Sequence, residues 1–179
     1  MMIFVLGTPD SGKSARAEAL VTRPDPAGPL YYVATMEPYG EEGRRRVAKH
    51  RAMREGKGFR TIECPRSLQQ ICPQIAAEPG RVLLECVTNL VGNEIYAPEH
   101  AGWQDAQIVA CVVQQVKALN SAARQLVAVS NEFAPDEGTY DAETLRYIRL
   151  VHQVNEELIK LAGEVHDVTG GSWRIYAVS

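Results

Sequence analysis

Residues 7–14 read Gly-Thr-Pro-Asp-Ser-Gly-Lys-Ser, a complete G-x-x-x-x-G-K-[ST] phosphate-binding loop. The run Met2-Ile3-Phe4-Val5-Leu6 before it reads as a buried strand, and Ala15-Arg16-Ala17-Glu18-Ala19-Leu20 after it reads as a helix. The motif carries meaning only in such a strand–loop–helix setting. Gly7 and Gly12 let the backbone curl through Thr8, Pro9, Asp10 and Ser11 so that several N–H groups face one anion. The helix N-terminus adds the positive end of its dipole. In such a loop Lys13 reaches the β- and γ-phosphates and Ser14 takes Mg2+.

A phosphate loop presupposes a sheet, and strand and helix signals alternate along the rest of the chain. Strands are expected at 30–34, 59–62, 81–86, 125–130, 165–168 and 173–178. Helices are expected from Glu41 to about Glu55, closed by Gly56 and Gly58, from a Ser67 cap towards Ala77, over 104–123, and from an Asp141 cap to about Ala162. This alternation predicts an α/β, P-loop NTPase-like fold: a mostly parallel sheet covered by helices on both faces, in one domain over residues 1–179. Ligands of such sheets bind at the carboxyl ends of the strands. The chemistry is therefore expected in the loops 7–14, 35–40, 85–94 and 130–140.

Composition sets the class. With 45% hydrophobic and 23% charged residues in 179, the chain resembles an ordinary globular protein. No apolar stretch reaches membrane-span length, and Gly7 and Asp10 interrupt any leader-like segment, so a cytoplasmic protein is expected. Cys64, Cys72, Cys86 and Cys111 are widely spaced without a C-x-x-C pair, which speaks against structural zinc and gives no disulfide framework.

The formal charge is −3, but eight basic residues opposed by Glu55 alone fall within residues 44–60, making that stretch +7 and the remainder −10. An anion is expected to meet Arg44, Arg45, Arg46, Lys49, Arg51, Arg54, Lys57 and Arg60. His50 lies among them, with Arg46 and Arg54 one helical turn away on either side. Neighbouring cations disfavour imidazolium, and a neutral imidazole on a phosphate-binding surface can attack phosphorus. The same cations would stabilise a leaving pyrophosphate. Two acids close apolar strands, Glu85 and the Glu132 of Asn131-Glu132. One suits a metal and its waters and the other a substrate, and the strand pattern does not distinguish them. Thr88 and Asn89 follow Glu85 and could bind a ligand or cap the next helix.

Several segments in order resemble the bifunctional adenosylcobinamide kinase/adenosylcobinamide-phosphate guanylyltransferase family of cobalamin biosynthesis. They are the loop 7–14, Tyr32-Val33-Ala34-Thr35, Arg46-Val47-Ala48-Lys49-His50-Arg51 and Phe59-Arg60-Thr61-Ile62-Glu63-Cys64-Pro65. Leu83-Leu84-Glu85-Cys86-Val87-Thr88-Asn89, Val129-Ser130-Asn131-Glu132, Val154-Asn155 and Val168-Thr169-Gly170 follow. The resemblance implies two steps: phosphorylation of the corrinoid's aminopropanol hydroxyl by ATP or GTP, then transfer of GMP from GTP through a guanylylated histidine. It puts that histidine at His50 and the metal-supporting acid at Glu85. Thr35, Arg46, Lys49, Arg51, Arg54 and Glu63 join the loop among the nucleotide-binding residues, and a homotrimer is implied by resemblance alone.

The chain departs from the family pattern at Thr8 and Asp10, where a glycine and a basic or small residue are usual. It also departs at Phe133 to Tyr140, which replaces a glycine-rich stretch, and at Tyr147-Ile148-Arg149 with His152. Two other readings compete: a kinase of another small alcohol with no covalent step, and a non-enzymatic nucleotide-responsive protein whose basic helix meets nucleic acid. The latter needs no histidine and predicts steep salt dependence.

Overall fold

Apolar runs become the strands of one seven-stranded sheet: β1 (Met2–Gly7), β2 (Leu30–Ala34), β3 (Phe59–Glu63), β4 (Arg81–Glu85), β5 (Gln125–Asn131), β6 (Glu164–Asp167) and β7 (Arg174–Ala177). Their order is β3-β2-β4-β5-β1-β6-β7, parallel throughout except for β7, which runs antiparallel to β6. The computed structural model describes residues 1–23, 28–38, 40–133 and 138–178. For Arg46, Lys49, His50, Met53 and Arg54 it describes the backbone alone.

The central strands are apolar on both faces because helices cover both. Successive residues of β1 divide between two cores, as a period of two requires. Ile3 and Val5 pack with Ala17, Leu20 and Val21 of α1 (Lys13–Val21). Met2, Phe4 and Leu6 face the larger core. That core is filled from α3 (Cys72–Ala77), α4 (Val87–Ile95), α5 (Asp105–Ala122) and α6 (Ala142–Leu161). The basic helix α2 (Gly40–Arg54) differs: none of its described side chains is buried. A helix charged nearly all round has no stripe to bury.

Two local expectations fail. Ser67 caps nothing with its side chain. It sits at φ 56° before a 3-10 turn, Leu68–Gln70, and α3 starts only at Cys72. Residues 87–95, expected within a loop, form α4, which buries Val87, Leu90 and Val91 at helical spacing. Asp141 does cap α6, accepting the Thr144 N–H at 2.7 Å. Among the described residues no helix is long and apolar enough to cross a membrane.

Candidate active site

Parallel strands in register bring their ends to one edge. Gly7 lies beside Asn131, and Ala34 beside both Glu63 and Glu85. The phosphate loop occupies this edge. Gly7 is required for space, since a Cβ there would stand 2.3 Å from Ser11 Oγ and 2.6 Å from Val168 Cγ1. Gly12 is required for conformation, capping α1 at φ 83°. The loop closes on itself through Ser11 N–H to the Thr8 carbonyl at 3.2 Å. Lys13, 9% exposed, folds back to donate to the same carbonyl at 3.2 Å. All eight loop residues expected from the sequence thus come together.

Ser14 Oγ donates to Glu85 Oε1 at 2.9 Å, across 71 residues of sequence. A hydroxyl and a carboxylate in contact beside a phosphate loop are hard oxygen donors, so the residues present fit Mg2+. The contact also separates the two strand-end acids. Glu132 accepts from Asn155 Nδ2 at 3.0 Å and pairs with His152. A cavity of about 180 Å3 opens here, lined by Lys13, Glu63, Glu85, Cys86, Asn89 and Asn131 among others. Asn131 Oδ1 in its wall and Ser11 Oγ in the loop are buried without a protein hydrogen-bond partner. Both atoms stand where a ligand or a water could complete the bonding.

Burial, with the Glu85 carboxylate second, pushes the Cys86 thiol up to about 11, so it stands in this wall as a neutral thiol. Thr35 is 0% exposed, and its hydroxyl is wholly committed to Cys86: it donates to the carbonyl and accepts the N–H, both at 2.7 Å. Arg51 donates from Nε to Glu63 Oε1 at 2.8 Å, forming an ion pair between two exposed side chains. The side chains of Arg46, Lys49, His50 and Arg54 lie outside the described residues; their backbone is helical within α2. Residues 134–137 of the departing loop also lie outside them.

His100, His152 and His166 each meet a carboxylate. His100 approaches Glu94 at 3.2 Å, His152 pairs with Glu132, and His166 pairs with Glu164 while accepting from Arg16 Nε at 3.1 Å. Cys111 joins Glu94 and His100 in a group with metal-compatible spacing. Glu94 Oε1 there is already bonded by the Gln115 amide at 2.7 Å and the Ser67 N–H at 3.3 Å.

A larger cavity, about 510 Å3, adjoins the first through Met36 and Asn89, which line both. Asn89 carried a sequence signal, its place after Glu85. Tyr147 stood out only within a departure from the family pattern, and its partner carried no signal: it donates to the Thr88 carbonyl at 3.2 Å from 59 residues away.

Sheet order, loop and acid define a P-loop nucleotide-binding α/β protein. The same fold is found in an ATPase of the type III secretion system of pathogenic bacteria, with a TM-score of 0.58 at 12% identity over 94% of this chain. The chain spans about half of that ATPase, 51%. More specifically, the chain belongs to the cobinamide kinase/cobinamide phosphate guanyltransferase family, CobU, whose model matches residues 3–174. It is 30% identical to the bifunctional adenosylcobalamin biosynthesis protein CobU of Salmonella typhimurium, over 96% of this chain and 97% of that one. It is 29% identical to the protein of the same name from Escherichia coli, with the same coverage.

Proposed function

We propose that this chain, acting as one domain over residues 1–179, performs both steps that its family's description names, on adenosylcobinamide, where nucleoside triphosphates are pooled in the cytoplasm. The observation that carries the reading is the Ser14–Glu85 contact beside a cavity that Lys13 and Glu85 line. In the first step the alcohol oxygen of the acceptor attacks the γ-phosphorus of ATP or GTP. The bond to the β-phosphate oxygen breaks, and the hydroxyl proton is lost. The loop N–H groups and Lys13 hold the phosphates in line, which is most of what phosphoryl transfer asks of a protein. Ser14 and Glu85 would hold Mg2+, which supplies charge neutralisation when bound. Thr35 acts as a positioning residue, fixing Cys86 and with it the end of β4.

In the second step a His50 nitrogen attacks the α-phosphorus of GTP. A P–N bond forms, the bond to the β-phosphate oxygen breaks, pyrophosphate leaves and the ring N–H proton is released. A phosphate oxygen of cobinamide phosphate then displaces the histidine and takes GMP. Arg46, Lys49, Arg51 and Arg54 serve as phosphate clamps. The support here is the family and the position of His50 between Arg46 and Arg54 on a helix.

Intact mass after incubation with GTP and Mg2+ tests it. The wild type gains one GMP, in a bond labile to acid and stable to base. His50→Asn binds GTP normally, gains no mass and keeps phosphoryl transfer. A wild type that binds GTP yet acquires no adduct ends the guanylyl reading and favours a simple kinase. An adduct that persists in His50→Asn means another nucleophile.

A further inference from the structure

Glu94, near the end of α4, is a buried carboxylate that the phosphate site does not use. It is 2% exposed, and among the described residues its ion-pair partner is His100 rather than a lysine or arginine. A carboxylate taken from water is costly unless a cation meets it. Its two oxygens have different neighbours. Oε1 accepts the Gln115 amide N–H at 2.7 Å and the Ser67 N–H at 3.3 Å. Oε2 faces His100 Nδ1 at 3.2 Å. Cys111, on α5, closes the group: one ligand atom from each of the three side chains lies within 4.8 Å of the others. A tetrahedral zinc ion sets its oxygen, nitrogen and sulfur ligands about 3.3–3.6 Å apart, so a small inward shift brings all three onto one ion.

The three side chains are held from outside. Gln115, 1% exposed, donates to Glu94 Oε1 and, at 3.3 Å, to Cys111 Sγ, and its own carbonyl accepts the Leu68 N–H at 2.9 Å. Stacking on Trp103, with centroids 3.7 Å apart, fixes the His100 ring. Outer bonds of this kind orient metal ligands. We infer that Glu94, His100 and Cys111 form a site for one zinc ion, distinct from Ser14 and Glu85, with water in the fourth place. Sulfur, nitrogen and oxygen donors together suit zinc and not magnesium. A carboxylate and a thiolate balance a divalent ion, so the buried cluster becomes neutral. On binding, the thiol proton is released. The imidazole proton that Nδ1 shares with the Glu94 carbonyl, 3.0 Å away, moves to Nε2. That carbonyl keeps the Ala97 N–H at 3.4 Å. The ion would tie α4 and the turn Pro98–His100 to α5. No C-x-x-C pair marks the site, because its ligands come from three elements.

The test titrates the full chain, freed of metal with a chelator, with Co2+ as a spectroscopic stand-in for zinc. Wild type should bind Co2+ with a sulfur-to-cobalt charge-transfer band, which the oxygen donors of Ser14 and Glu85 cannot give, and Zn2+ should abolish it. Cys111→Ser should lose the band, and His100→Ala should weaken Co2+ at least tenfold. Zn2+ should also raise the wild-type melting temperature and slow iodoacetamide at Cys111 at least tenfold, with Cys72 unchanged. These last two readings need no variant, so they decide the matter should a variant not fold. A wild type without the band at excess Co2+, a band that persists in folded Cys111→Ser, or Zn2+ that leaves Cys111 as reactive as before overturns the site, and the nucleotide reading stands in each case.

Discussion

Thr35→Val removes a hydroxyl from the core at nearly constant volume, and the structure fixes what is lost. The Cys86 N–H gives up its 2.7 Å acceptor, and the Cys86 carbonyl keeps the Leu90 N–H at 3.3 Å. An orphaned buried donor costs about 1–3 kcal/mol, and the lost donated bond adds about 0.5–1.5 kcal/mol, so the variant should be destabilised by about 2–4 kcal/mol. For a domain of this size that is a fall of roughly 5–15 °C in Tm. Thr35→Ser keeps the hydroxyl and gives up a methyl, a cost of about 1 kcal/mol. Melts followed by circular dichroism, with triphosphate titrations at a temperature where all three proteins are folded, check both halves. Valine should also weaken nucleotide binding, because Cys86 follows the Glu85 that meets Ser14, and serine should not. A valine variant within 2 °C of wild type, or a serine variant as unstable as valine, would refute the clip.

Lys13→Ala removes charge-assisted bonds to phosphate worth about 1.5–3 kcal/mol, so triphosphate should bind roughly 10- to 100-fold more weakly by calorimetry with the fold unchanged; equal affinity would undo the phosphate-loop reading. Cys86, buried and with its thiol pushed up to about 11, should resist iodoacetamide at pH 8 while half-buried Cys72 and Cys111 react first, as mapped by peptide mass. Modification of Cys86 as fast as Cys72 would contradict that. Burial alone would raise the Asp167 carboxyl, but the bonds from Thr169 and the Arg174 guanidinium outweigh it and hold it below the usual carboxylate range. Its stabilisation is therefore present at neutral pH and lost as pH falls through that lowered value. Asp167→Asn should melt lower than wild type at pH 7, with the gap closing in acid; a gap that is constant with pH would show that the charge is irrelevant.

What was legible in the sequence was local. The strand before the loop, the glycines at 7 and 12 and the Asp141 cap each act within a few residues, so pattern reveals them. The chain hid α4 because Val87, Thr88, Asn89 and Gly92 are poor helix formers, and only burial of Val87, Leu90 and Val91 overrides them. Ser67 misled for the opposite reason. Serine suits a cap where its backbone is extended, but Ser67 sits at φ 56° in the left-handed region and its side chain caps nothing. Partners across the fold were illegible altogether. Periodicity says which face a residue lies on and not what it meets there. Thr35 with Cys86, Arg51 with Glu63 and Tyr147 with Thr88 emerge only when the register of the sheet and the seating of α6 are known.

The departure at Asp10 shows how backbone geometry decides a residue whose charge looks wrong. A carboxylate within a phosphate loop should repel the ligand, and on charge alone its presence argues against nucleotide binding. Yet Asp10 stands at φ 60°, in the left-handed region that asparagine and aspartate enter more readily than other side chains. It follows Pro9, whose fixed φ starts the turn, and precedes the Ser11 N–H that closes back on Thr8. The residue is exposed, while Lys13 two residues beyond the turn is buried and bonded to the Thr8 carbonyl. The loop therefore keeps its cation next to the cavity and its anion in water, where the high dielectric weakens the repulsion several-fold. The aspartate supplies the positive-φ residue of the turn while its charge stays in water, so the departure at this position leaves Lys13 beside the cavity.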